Sequence, residues 1–338
     1  MATDKAPPTG TSIDIGTMNL VSARQNAKGG VETRRMRDAF LDLDPGAKKM
    51  LKLSGVSFIE RADEILIVGD AALETANVFG KEVRRPLSAG LLSAGEIDAI
   101  EVLGLLIKNV LGAPKVPNEV CYFSVPAAPV DAPDRDVVYH RGVLERIVTE
   151  CGYNAFPSNE AMAILFSETA TEGFSGLALS FGSGMTNCAL AVNSIEGMTF
   201  SVARGGDWVD AGSAKAVGST QARMCAIKES GFDLRAPVGR EQEALALYYK
   251  SLIENCIDNV AAQFNRIKGQ FSLPKPIPLV ISGGTSLAGG FLEFFGQVFE
   301  KKRKRFPIVI SEIRHARDPL NAVAYGLLIQ AQQESDDA

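Results

Sequence analysis

Two short stretches, roughly half the chain apart, constrain the fold most: SIDIGTMNLV at residues 12–21 and ALSFGSGMTNCAL at 178–190. Each reads as an apolar strand, a tight glycine turn and a second strand. Aligning Gly16 with Gly182 sets Ile15 on Phe181 and Asp14 on Ser180. A unit met twice at this spacing predicts two related lobes facing each other across a cleft. The rest of the pattern agrees, because short apolar strands alternate with longer helical periods, as in α/β proteins.

Strands are expected at 12–16, 19–24, 64–69, 119–125, 176–181, 187–192 and 277–282. Three helices stand out. Ser93 with Glu96 resembles a capping box, followed by an apolar face of Ile97, Ile100, Leu103, Ile107 and Val110 up to Gly112. Residues 241–267 repeat Ala244, Leu247, Leu252, Cys256, Val260, Phe264 and Ile267 at helical spacing. Phe291, Phe294, Phe295, Val298 and Phe299 do the same after SGGTSLAGG.

At 338 residues the chain is long enough for about two domains, each with its own core. A net charge of −5 and a pI near 5.3 disfavour a general surface for nucleic acid or anionic membrane. The five cysteines are scattered without a CxxC pair, which points to reduced thiols in a cytoplasmic protein. His140 and His315 are the only histidines, too few for a histidine metal site. The start, MATDKAPPTGTS, has neither an apolar h-region nor an amphipathic period, so no leader or anchor is expected there. Lys108 interrupts the longest apolar run, so no membrane span is expected.

The common nucleotide loops, GxxxxGK[ST] and GxGxxG, are absent. Glycine turns at strand ends take their place: Gly16-Thr17, Gly182-Ser183-Gly184 and Gly283-Gly284-Thr285. Glycine lets successive backbone N–H groups converge on an anion, and the third turn opens a helix whose first amides suit a nucleotide. One such turn by itself is an ordinary loop; three in this order carry information.

In that order the chain resembles the actin-like ATPase superfamily, most closely the bacterial filament proteins of the MreB and MamK type. IDIGT resembles the first phosphate loop and IVGDAAL the strand and helix after the small first subdomain. RRPLSAGLLS is similar to R-P-L-x-x-G-x-(I/L), VPAAPVDAPDR to the V-P segment, and NEAMAIL to the E-P-x-A-A helix start, with Ala161 replacing the proline. SFGSGMTN resembles D-I-G-G-G-T-T, RGGDWVD resembles G-G-D-x-x-D, and MCAIKES resembles the nucleoside-contacting helix. ISGGTSLAGG resembles the adenosine loop and DPLNAVAYG the closing D-P-x-x-x-V-A-x-G. The match runs from about residue 12 to 330.

The resemblance implies a duplicated, ribonuclease H-like two-domain fold with a nucleotide cleft. Its expected parts are a disordered tail over 1–11, domain I over 12–157 and 318–333 with a small subdomain at about 28–84, and domain II over 158–317. It also implies ATP or ADP with Mg2+ as cofactors. Asp14 would act through water on the magnesium, and Glu160 would orient the attacking water. Gly16, Thr17, Met18, Asn19, Gly182, Ser183, Gly184, Met185 and Thr186 would line the phosphates. Gly206, Asp207, Lys228, Gly283, Gly284 and Thr285 would complete the nucleotide site. Read alone, Glu160 is also an ordinary helix N-terminal acid stabilised by the dipole.

Three departures from the pattern matter. Ser180 replaces the usual second acid, which predicts slow turnover and a faster rate in Ser180→Asp. Cys225 stands where many members carry a ribose-binding glutamate. The stretch at about 207–243 is short for a filament's fourth subdomain. KKRKR at 301–305 reads either as a helix end complementing the dipole or as a patch for a DNA adaptor or a second protomer. The expectation is a cytoplasmic, cytoskeletal ATP-binding protein that polymerises with itself and hydrolyses ATP slowly, with a cargo or adaptor protein as further partner. The alternative is a non-polymerising actin-fold scaffold like those of pilus assembly.

Overall fold

The structure, a computed structural model, describes residues 10–79, 81–269, 273 and 276–337. The tail expected over 1–11 lies outside the described residues as far as residue 9, and Thr11 already belongs to the first strand. The chain forms two compact units. One takes the chain up to Ser124, Val138–Pro157 and the stretch from Gln330 on; the other takes Val125–Val137 and Ser158–Ile329.

The first unit opens with an antiparallel meander: β1 (Thr11–Ile15), β2 (Asn19–Gln25) and β3 (Val31–Arg37). Then come β4 (Phe40–Leu43), α1 (Lys48–Ser54), β5 (Phe58–Glu60), β6 (Ile65–Val68) and α2 (Asp70–Phe79). A two-residue hairpin, β7 (Leu87–Ser88) and β8 (Leu91–Leu92), leads to α3 (Ala99–Leu111), β9 (Val120–Val125), α4 (Val137–Glu150) and β10 (Asn154–Asn159). The main sheet runs β10-β9-β1-β2-β3, with β9 parallel to β1. The small sheet β4-β6-β5 closes its own core of Leu41, Ile65, Ile67, Ala72 and Ala76.

The second unit repeats the plan. After α5 (Glu160–Glu168) come β11 (Gly176–Phe181), β12 (Thr186–Val192) and β13 (Ile195–Val202), again an antiparallel meander. Three helices follow, α6 (Gly206–Val217), α7 (Gln221–Glu229) and α8 (Gly239–Ile267), then β14 (Ile277–Ser282), α9 (Phe291–Lys302), β15 (Ile310–His315) and α10 (Ala322–Asp337). The order β13-β12-β11-β14-β15 sets β14 parallel to β11, as β9 is to β1. The echo between the two glycine turns is therefore an echo of whole sheets.

Strand alternation sorts the side chains of this second sheet. Leu177, Leu179, Phe181, Cys188, Leu190, Phe200 and Val202 enter the large core with α8 and α9. The alternate positions of β11 and β12 are small or polar: Ala178, Ser180, Asn187, Ala189 and Ala191. In the core Phe181, Phe291 and Phe295 pack edge-on or stacked, with centroids 5.2–6.4 Å apart. Each fully buried ring of this size stabilises the fold by about 1.5–3 kcal/mol.

Two helix expectations need correction. α3 begins at Ala99 rather than after Ser93, and Ile97 is 97% exposed, off the apolar face. Glu96 is not a capping residue because Arg84 claims it: Arg84 donates to Glu96 (3.0 Å), Asp42 (2.8 Å) and Asp98 (2.8 Å). A charge-assisted pair of that kind outweighs one capping bond. On α8, Leu247 points outward, whereas Ala244, Leu252, Cys256, Val260 and Phe264 are buried. KKRKR ends α9 and continues as a short 3-10 turn, with Lys302 paired to Asp258 and Arg303 to Glu300. No helix among the described residues is long and apolar enough to cross a membrane.

Candidate functional site

In the first unit the β1–β2 turn is closed by Gly16 N–H donating to Asn19 O at 3.1 Å. Thr17 is buried, and its hydroxyl oxygen accepts the Gly90 N–H at 3.1 Å. The RRPLSAGLLS stretch thus supports the turn from the β7–β8 hairpin, whose tip holds Gly90. Met18 O accepts the N–H of Asp38 at 3.0 Å. Asp14 precedes the turn on β1, and its carboxylate accepts the Ser124 hydroxyl at 2.8 Å. The same serine oxygen accepts the Ile15 N–H at 2.8 Å, which locks β9 to β1 beside the acid. Burial pushes the Asp14 pKa up to about 6, against the lowering effect of Ser124.

The second unit builds the matching turn, closed by Gly182 N–H to Met185 O at 3.0 Å. Here other predicted residues gather around it. Gly206 N–H donates to Gly182 O (2.9 Å), Asp207 N–H to Ser183 O (2.9 Å), and the Thr285 hydroxyl to Gly182 O (2.9 Å). The start of α6 and the Gly283-Gly284-Thr285 turn are therefore tied to the glycine turn by backbone contacts. Lys228 lies at the same place but pairs with the buried Asp210 at 2.8 Å and donates to Gly206 O at 3.3 Å. Its ammonium holds α7 to the start of α6. The Thr186 hydroxyl donates to Arg204 O at 2.9 Å, so its proton is committed within the protein. The Ser183 hydroxyl oxygen is buried without a hydrogen-bond partner among the described residues.

Glu160 is the first residue of α5, whose cap is Asn159; the Asn159 side chain accepts from Ala161 N–H (3.0 Å) and Met162 N–H (3.1 Å). The helix N-terminus favours an ionised carboxylate there. Both carboxylate oxygens are engaged. The Ser180 hydroxyl donates to Oε1 at 2.7 Å and the Asn187 amide to Oε2 at 2.8 Å. Asn187 in turn accepts from the Ser201 hydroxyl. Asn187 and Ser201 escape motif reading because no family pattern names them. Hairpin arithmetic finds them: with Phe181 opposite Thr186, Ser180 must stand opposite Asn187.

Each turn, taken by itself, carries groups that would suit a magnesium nucleotide. Burial makes the Asp14 carboxylate costlier to ionise, and a nearby cation would offset that cost. The buried Ser183 hydroxyl is a donor awaiting an acceptor, and phosphate supplies acceptors. No group of three or more His, Cys, Asp or Glu side chains able to hold a metal occurs among the described residues. A magnesium beside Asp14 would be held mainly by phosphates and water, with the carboxylate reaching it through water.

Comparison with known proteins follows the same line. The volactin family model matches residues 10–331. No curated protein matches the sequence. Among solved structures, the chain is similar to the MamK double helical filament, with a TM-score of 0.72 and 19% identity over 95% of this chain and 98% of that one. MreB 5 of Spiroplasma citri bound to AMPPNP gives a TM-score of 0.68 at 15% identity, covering 98% of both chains. The ethanolamine utilization protein EutJ from Carboxydothermus hydrogenoformans gives 0.57 at 15% identity, over 97% of this chain and 91% of that one. At these identities the likeness establishes the fold, which is the actin-like fold.

Proposed function

The chain belongs to the volactin family, and from that premise we propose that it is an actin-like cytoskeletal protein that binds Mg-ATP, assembles with copies of itself in the cytoplasm and hydrolyses ATP slowly. The observation that carries this reading is the repeated hairpin turn, Gly16–Asn19 in one unit and Gly182–Met185 in the other, each closed by the same backbone bond. In this reading the amides of each turn would contact phosphates, and Asp14 would hold magnesium through water. Magnesium would neutralise charge on the phosphates. Glu160 orients water by accepting its proton-side hydrogen bond. The domain I and domain II division expected from the sequence is kept as part of the proposal. Likeness to a double helical filament of MamK and to an AMPPNP-bound MreB 5 supports assembly and nucleotide binding.

Sedimentation and light scattering test the proposal. The critical concentration for assembly is expected to be lower with Mg-ATP than without nucleotide. Protein that stays monomeric in every nucleotide state would favour the scaffold reading. Filaments that grow equally without nucleotide would keep assembly and remove its dependence on ATP.

A further inference from the structure

We propose that Asn187 and Ser180, backed by Ser201, are positioning residues for Glu160, and that this neutral donor row replaces the second acid rather than merely lacking it. The proposal rests on Glu160 acting in ATP hydrolysis. Its geometry is independent of that reading. Ser180, Asn187 and Ser201 are directly opposite one another on β11, β12 and β13, a row crossing three strands. All three are buried, at 1%, 2% and 0% exposure. The hydroxyl of Ser201 fixes the Asn187 amide by donating to its oxygen, which turns the NH2 group toward Glu160. Ser180 holds the other carboxylate oxygen.

An ionised carboxylate can only accept hydrogen bonds. Two donors, one on each oxygen, therefore fix its plane. A carboxylate in place of Asn187 would meet Glu160 at hydrogen-bond distance, and two carboxylates that close raise the pKa of one of the pair. The row also explains why buried strand positions carry serine and asparagine instead of apolar residues.

The test is steady-state phosphate release by the full chain with Mg-ATP, for wild type, Glu160→Gln, Asn187→Ala and Asn187→Asp. Asn187→Ala is expected to lower kcat by about tenfold to a hundredfold, the scale of a misplaced catalytic group, with KM for ATP within about twofold. Asn187→Asp, nearly isosteric, keeps the test open if the alanine variant does not fold. Its new carboxyl can donate to Glu160 only while protonated. Turnover should approach wild type at low pH and fall as pH rises through the raised pKa, a step wild type lacks. Asn187→Ala with wild-type kcat, or an Asn187→Asp pH profile superimposable on wild type, overturns the proposal. If Glu160→Gln abolishes release while both Asn187 variants match wild type, positioning fails and hydrolysis stands. No release by wild type under any assembly condition removes both.

Discussion

Asp14 joins burial and charge in one residue. Its carboxylate has a serine hydroxyl beside it, and burial raises its pKa to about 6. In an unfolded chain the same group titrates near 3.9. A folded pKa above the unfolded one means its stabilising share is complete below about pH 4 and is lost as pH rises through 6. Asp14→Asn removes the ionisation and keeps an oxygen for Ser124. The variant is expected to be more stable than wild type at pH 8, by at most about 3 kcal/mol, and equal to it near pH 4. Denaturant titrations across that range check it, and a less stable variant at pH 8 would contradict it. The magnesium-dependent part of the ATP-induced rise in Tm should shrink as well.

At the scale of elements, the helix carrying Glu160 is seated by a glycine. A Cβ added to Gly326 on α10 would stand 1.7 Å from the Ala163 carbonyl oxygen on α5. That backbone cannot move aside without shifting α5, and with it the Glu160 head group. Gly326→Ala is expected to destabilise by about 1–3 kcal/mol or more through overpacking, and to lower phosphate release too. Gly104 on α3 is the control: its added Cβ meets nothing within 4 Å, so Gly104→Ala should be neutral or gain about 0.5–1 kcal/mol from helix propensity. Thermal unfolding of the two variants side by side decides it. Equal melting for Gly326→Ala and wild type would show that the helices can part at no cost.

For the whole molecule, the proposed slow hydrolysis would act as a timer on assembly. Hydrolysis changes the nucleotide state and so the equilibrium between free and assembled chains. Glu160→Gln leaves the glycine turns intact, so ATP affinity should stay within about twofold while hydrolysis slows. Filaments formed by that variant are expected to persist longer after dilution than wild-type filaments, measured by light scattering. Equal disassembly rates would detach Glu160 from filament lifetime even if assembly itself is retained.

What the sequence by itself determined is local or repeated. The two glycine turns, the strands beside them and the faces of α8 and α9 follow from periodicity and from glycine at strand ends. Their repetition foretold two sheets of one plan, and their family order foretold the actin-like fold. Tertiary structure decided which polar groups meet. Ser93 and Glu96 look like a cap until Arg84 takes Glu96 away, and only the fold sets Asp210 beside Lys228. Ser180 reads as a missing acid, yet it is one of two donors to Glu160, and Asn187 enters only when β11 and β12 pair in register and α5 packs on them. Buried polar groups must find partners wherever the fold brings donors and acceptors together, and no local pattern encodes that distance.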